Sequence, residues 1–252
     1  MRTCIFVSYQ YNELASEKQL RKEIEGATCM KVIAVNGSPR KTWNTATLLR
    51  KALDGSKSVG ADTELVHLYD LNFKGCTSCF ACKIKGGKFI GRCAMQDDLT
   101  SLLDKIRECD VLLLGSPIYF GNVTGEMRSF LERLLFSAMT YNVGHGSVFK
   151  GKVATGFIYT MNVPADLSSM NIPEEFRKHL NYESLFQNNK AVLQILNGPS
   201  EFLLSQDTYQ FDDYAKYEAS MFDEKHKAKV KAEQFPIDCQ KAFDMGVRLA
   251  TK

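Results

Sequence analysis

The stretch Val32-Ile-Ala-Val-Asn-Gly-Ser-Pro-Arg-Lys-Thr-Trp-Asn-Thr45 decides how the chain reads. Val32 to Val35 form a short apolar strand, and a helix opens near Asn44 with Leu48, Leu49, Ala52 and Leu53 on one side. Between them Gly37 permits a tight turn. A strand, a Gly/Ser loop and a helix N-terminus together build an anion site. The first-turn N–H groups have no intrahelical partner, and the helix dipole adds about half a positive charge there.

Ser38, Arg40, Thr42, Asn44 and Thr45 bring hydroxyls, an amide and a guanidinium to this loop. It lacks the Gly-Lys-Ser/Thr ending of a nucleotide P-loop and the GxGxxG of a dinucleotide fold. Such a cradle suits a monophosphate better than a triphosphate with magnesium. The alternative is a helix-capping loop without a ligand.

Working outward, strands and helices alternate. Leu65–Leu68, Val111–Leu114, Val153–Tyr159 and Ala191–Leu196 read as further strands. A helix follows Asp97 and Asp98, with Leu99, Leu102, Leu103 and Ile106 spaced for one face. Another carries Met127, Phe130, Leu131, Leu134, Leu135 and Ala138, with Thr124 as its N-cap. Residues 213–234 read as a charged helix, and a last helix starts near Pro236. The expected architecture is α/β: a three-layer sandwich with a five-stranded parallel sheet and helices on both faces. Ligands of such sheets bind outside the carboxyl ends of the strands.

Two more strand-end loops therefore matter. Gly115-Ser-Pro-Ile-Tyr-Phe-Gly-Asn-Val-Thr124 contains Pro117, Ile118, Tyr119, Phe120 and Gly121. Ile118 to Phe120 is an odd run for a surface connection, and a flat aromatic ligand would give it a partner. Packing into the core is the competing reading, above all for Ile118. Tyr159-Thr-Met-Asn-Val-Pro164 offers Thr160 and Asn162 to the edge of a ring, or is an ordinary βα turn.

The chain has 252 residues, 44% hydrophobic and 24% charged, enough for one large domain with a sizeable core. The net charge of +3 is spread without a basic block, which gives no reason to expect nucleic acid or a membrane surface. No apolar run approaches the roughly 20 residues that span a bilayer. The N-terminus is too polar for a signal peptide, so a cytoplasmic protein is expected. Residues 1–29 differ in character from the rest of the chain: Ile5–Tyr9 suggests a strand and Glu13–Glu25 a charged helix. They form either an upstream extension before a start at Met30 or an arm packed on the domain 30–252. From about residue 200 that domain can contribute a lid or an oligomer contact.

Cys76, Cys79 and Cys82 recur at three-residue intervals, and Cys93 lies further along the chain. Thiolates this close are soft ligands for an iron–sulfur cluster or zinc. Unmetallated thiols or a disulfide are the other readings. Cys109 and Cys239 fall on apolar helix faces and belong to the core, while Cys4 and Cys29 are isolated. His67, His145, His179 and His226 have no metal-ligand spacing and read as structural or solvated. Trp43 shields a ligand, meets a neighbouring subunit or simply packs. Tyr209, Phe211, Tyr214 and Tyr217 read as a core strip under the last helix, with a lid or subunit contact as alternatives.

Val-Asn-Gly-Ser-Pro-Arg-Lys with Asn44-Thr45, then Gly-Ser-Pro-Ile-Tyr-Phe-Gly and the helix through Glu132-Arg133, resembles the NADPH-dependent FMN reductase family over residues 31–200. The resemblance implies a flavodoxin-like fold and FMN, with its phosphate at Ser38, Arg40, Asn44 and Thr45. It places the isoalloxazine against Pro117 to Gly121, with Thr160 to Asn162 nearby. The cysteines look like those of the iron–sulfur flavoprotein branch, which implies a 4Fe–4S cluster at Cys76, Cys79, Cys82 and Cys93. The gap before Cys93 is longer than that branch's compact motif. The implied activity is NAD(P)H oxidation through flavin toward a quinone, free flavin or redox protein. The alternatives are an electron carrier reduced by a ferredoxin-like partner and a flavin-less binding module. The family also implies a homodimer or homotetramer.

Overall fold

Strand β1, Lys31–Asn36, is buried on both faces. Val32 and Ala34 turn to one core, Ile33 and Val35 to the other. The same alternation runs through β3, Val111–Tyr119, where Leu112 and Leu114 oppose Val111 and Leu113. A strand with apolar residues on both sides belongs in the middle of a sheet covered twice. Each leucine fully buried this way contributes about 1.5–3 kcal/mol over leaving it exposed.

A computed structural model describes residues 29–144, 146–167, 173–175 and 182–251. The expectations for Ile5–Tyr9, Glu13–Glu25, Cys4, His145 and His179 lie outside the described residues. The remaining elements are α1 (Asn44–Ser58), β2 (Asp62–His67), α2 (Leu99–Ile106), β4 (Asn122–Val123), α3 (Gly125–Ala138), β5 (Val153–Thr160), α4 (Tyr182–Leu193), β6 (Asn197–Ser205) and α5 (Glu224–Ala250). Strand order is β2-β1-β3-β5-β6, all parallel along this path. The two-residue β4 adds an antiparallel sixth strand beyond the expected five. Helices α1 and α5 cover one face, and α2, α3 and α4 the other.

Three expectations are corrected. Ala191–Leu196 is not a strand: it ends α4 and forms a 3₁₀ turn, and Asn197, at φ +63°, redirects the chain into β6. Phe186, Leu193 and Leu196 satisfy a helical face as well as an apolar run satisfies a strand. The true strand hides behind Asn197-Gly-Pro199, which reads as a turn; an edge strand tolerates the proline. Next, residues 213–234 and the helix from Pro236 are not two helices. The chain makes a 3₁₀ turn at Tyr214–Lys216, and α5 then runs through Pro236 without a break. Third, β3 extends through Pro117, Ile118 and Tyr119, so these are strand residues and not loop.

The switch in strand order falls between β1 and β3, where a flavodoxin-like sheet opens its ligand crevice. Register aligns the carboxyl ends there. Asn36 lies between His67 and Gly115, Pro117 is opposite Thr160, and Thr160 is opposite Ser205.

Candidate functional site

The first loop is shaped by Asn36, whose role no local pattern announces. Its Oδ1 accepts the Ser38 N–H at 3.1 Å, and its Nδ2 donates to Ser38 O at 3.2 Å and to His67 Nδ1 at 2.8 Å. Because the Asn36 amide N–H faces the ring, His67 Nδ1 must accept, so this histidine is neutral with its proton on Nε2. Burial pushes its pKa down; Asp70 opposes that, and Arg50 and Lys41 reinforce it.

Gly37 sits where a Cβ would meet Met127 Cβ at 2.8 Å, and its N–H donates to Gly115 O at 2.8 Å. Thr124 Oγ1 donates to Gly37 O at 2.7 Å and also accepts Met127 N–H as the expected N-cap of α3. The loop is thus pinned to β3 and α3. The N-cap of α1, Trp43, makes no side-chain cap bond, and its first turn carries no acidic residue. That leaves a helix N-terminus with the polarity an anion favours.

The expected ligands divide. Ser38 is buried, and its Oγ accepts the Arg40 N–H at 3.1 Å, leaving the hydroxyl proton free to donate. Thr42 is exposed in the turn. Thr45 and Thr160 are both buried and share a hydrogen bond of 2.7 Å, which ties the first loop to the end of β5. Arg40 stacks on Trp43 with its guanidinium 3.9 Å from the ring centroid. Arg40 Nη1 donates to Gln210 O at 2.5 Å; Asn44 Nδ2 and Trp43 Nε1 donate to Tyr209 O at 2.9 and 3.1 Å.

In the second region Phe120 and Gly121, at φ +49° and +79°, form the two-residue turn of a hairpin joining β3 to β4. Left-handed dihedrals at both positions match a type I′ turn. They project Phe120 fully into solvent, with Tyr119 half-exposed beside it, while Ile118 packs against the core. In the third region Tyr159 is a core residue, stacked on Phe157 at 4.1 Å. Asn162 donates to Gln210 Oε1, and its own buried Oδ1 has no hydrogen-bond partner among the described residues.

The polar loop before α1, an exposed aromatic hairpin and a buried acceptor without a partner among the described residues follow the carboxyl ends of β1, β3 and β5. These are the parts a flat, phosphorylated aromatic ligand requires, and the residues fit FMN.

The cysteines lie on a neighbouring loop with two left-handed residues, Ser78 and Phe80. Cys79 is exposed and Cys82 buried. Burial pushes the Cys82 thiol up, and Cys79 and Cys93 add to that, against the charge of Lys83. Cys93 Sγ accepts from Arg133 Nε at 3.0 Å. Among the described residues no three His, Cys, Asp or Glu side chains stand together as a metal site. Every cysteine among the described residues is a free thiol, so none is in a disulfide. Cys109 is a core thiol pushed up to about 12 by burial.

Arg133 organises this loop from α3 with its side chain fully buried. It donates to Lys74 O at 3.0 Å and to Asp97 Oδ2 and Oδ1 at 2.7 and 3.1 Å. Burial would raise the Asp97 carboxyl, but the Arg133 hydrogen bonds and charge hold it below its ordinary value.

The fold is that of a flavodoxin-like α/β protein, with its strand-order switch between β1 and β3. The chain belongs to the NADPH-dependent FMN reductase family, whose profile matches residues 30–186. An iron–sulfur flavoprotein of Archaeoglobus fulgidus is 35% identical over 143 residues, 57% of this chain and 66% of that protein. Another, from Methanocaldococcus jannaschii, is 38% identical over 104 residues, 41% of this chain and 51% of that protein. The match thus spans about half to two thirds of these relatives' lengths. The NAD(P)H:quinone oxidoreductase from Methanothermobacter marburgensis superposes with a TM-score of 0.57 at 14% identity, covering 88% of this chain and 98% of that one. That likeness is one of fold. No helix among the described residues is long and apolar enough to cross a membrane.

Proposed function

We propose that the chain is an FMN-dependent NAD(P)H oxidoreductase. The observation that carries this reading is the convergence of the Asn36–Thr45 loop, the Ile118–Val123 hairpin and Asn162 at one switch point. When bound, FMN supplies the hydride and electron chemistry, so no side chain need act as acid or base. The protein's part is position and electrostatics. Ser38, Arg40, Asn44 and the α1 N-terminus bind the phosphate, and the α1 dipole favours its charge. Tyr119 and Phe120 wall the ring and exclude water from one side. Asn162, whose Oδ1 has no partner among the described residues, can turn that oxygen toward a ring N–H when the ligand enters. The nicotinamide approaches the open face, and the acceptor class is a quinone, a free flavin or a redox protein.

A second reading, an electron carrier reduced by a protein partner, draws on the relatives named iron–sulfur flavoproteins. One anaerobic experiment separates the readings. Protein loaded with FMN is mixed with NADPH or NADH, and iron and sulfide are assayed in parallel. Bleaching of the flavin band within seconds of adding the nicotinamide is expected. A flavin that bleaches only with reduced ferredoxin would overturn the proposal, whereas the iron and sulfide content reports separately whether Cys76, Cys79, Cys82 and Cys93 hold a cluster.

A further inference from the structure

The FMN reductase profile ends at residue 186, yet the phosphate loop is completed by residues beyond it. After β6 the chain crosses the carboxyl edge of the sheet as a strap, 206–217. Thr208 N–H and Asp207 N–H donate to Met161 O and Val163 O, both at 3.0 Å, which lays the strap along the Asn162 turn. Two successive strap carbonyls, those of Tyr209 and Gln210, then accept from Trp43, Asn44 and Arg40. The strap is latched from α5. Lys227, 4% exposed, pairs with Asp207 and donates to Asn162 O at 2.6 Å. Lys231 lies over the Tyr209 ring, 4.4 Å from its centroid. Tyr214 is buried beneath, edge-on to Tyr209, and its hydroxyl accepts the Gln210 N–H at 3.2 Å.

Arg40 lies in the loop before α1 and Asn44 opens that helix, and both side chains reach the strap. A guanidinium has five N–H donors and Asn44 an amide with two. One bond from each to a fixed carbonyl sets its direction and leaves the others for a phosphate. Trp43, bonded to the same carbonyl, fixes the plane on which Arg40 stacks. Donors held in place before binding lose less entropy on binding.

We propose that strap 206–217 is a positioning element of the flavin-phosphate site, orienting Arg40 and Asn44 through the Tyr209 and Gln210 carbonyls. This rests on the FMN reading above. Tyr214 and Trp43 are positioning residues: they act through the strap and the donors.

The test compares FMN with riboflavin, the same ring without a phosphate. Dissociation constants for both are measured by flavin fluorescence quenching on the full chain and on Tyr214→Ala. The expected result is an FMN constant about tenfold higher in the variant and a riboflavin constant within twofold. The preference for the phosphorylated ligand then collapses by nearly the same factor. Trp43→Phe, which keeps the packing and deletes the N–H, is expected to lower the preference about threefold and covers the case in which Tyr214→Ala fails to fold. Equal loss for both flavins, or an unchanged preference in the folded variants, overturns the strap's role while FMN binding by the unmodified chain keeps the function reading. Failure of the unmodified chain to bind FMN overturns both.

Discussion

Arg133 is a fully buried guanidinium that ties separate segments together. It reaches Lys74 O, Cys93 Sγ and Asp97, so one guanidinium gathers both ends of the cysteine loop. Removing one partner of a buried pair leaves the other charge uncompensated, at a cost of about 3–5 kcal/mol. Asp97 retains some exposure, so the low end applies: Arg133→Met is expected to lose about 3 kcal/mol in urea denaturation. A loss under about 1 kcal/mol would show that water replaces the pair. The acid response has a definite sign. Asp97's folded pKa lies below its ordinary 3.8, so its contribution is present above that pH and lost as pH falls through the folded value. The resemblance included Arg133 only as part of a motif. No periodicity announces a buried arginine, because its partners sit 36 to 59 residues away in the chain.

At the scale of elements, α1 and α5 pack backbone against backbone. A Cβ on Gly246 would lie 1.8 Å from Ala52 O, and one on Gly55 would lie 2.0 Å from Phe243 O. Ser56 Oγ donates to Gly246 O at 3.1 Å across the contact. Overpacking a core costs about 1–3 kcal/mol, and here the obstacle is main chain, which yields least. Gly246→Ala is therefore expected to cost about 3 kcal/mol, read as a lowered urea midpoint. An unchanged midpoint would mean the helices part at little cost. This contact also explains why Pro236 does not end α5: packing against α1 continues beyond it and outweighs one lost intrahelical bond. Local rules found α2 and α3, whose apolar residues keep a clean helical period. They failed at β6, an edge strand that begins Asn197-Gly-Pro and lacks the alternation of the central strands.

For the molecule as a whole, register turns scattered loops into one site. It sets His67 beside Asn36, and the pair then responds to pH. Burial pushes His67 below its ordinary 6.5, so the unfolded chain takes up a proton first as pH falls. Stability is complete above 6.5 and declines below it. Protonated His67 can no longer accept from Asn36, and the Asn36 bond to Ser38 N–H is the one put at risk. Melting temperature without flavin is expected to fall as pH drops below about 6.5, with a flatter profile in His67→Gln. Parallel profiles for the two proteins would remove His67 from the account.

The sequence by itself determined the alternating α/β order, the central strands and the turn from β1 into α1. Each rests on neighbours within a few residues, where apolar period and turn chemistry act. It also supplied the aromatic run Ile118 to Phe120, though not that β3 would continue through Tyr119 into a hairpin. Only the tertiary structure decided that Thr45 pairs with Thr160, that Asn36 leans on His67, and that Tyr209 and Gln210 reach back to Arg40 and Asn44. Those contacts join residues 31 to 170 positions apart. Sheet register and the docking of α5 bring them together, and neither is encoded in any local window.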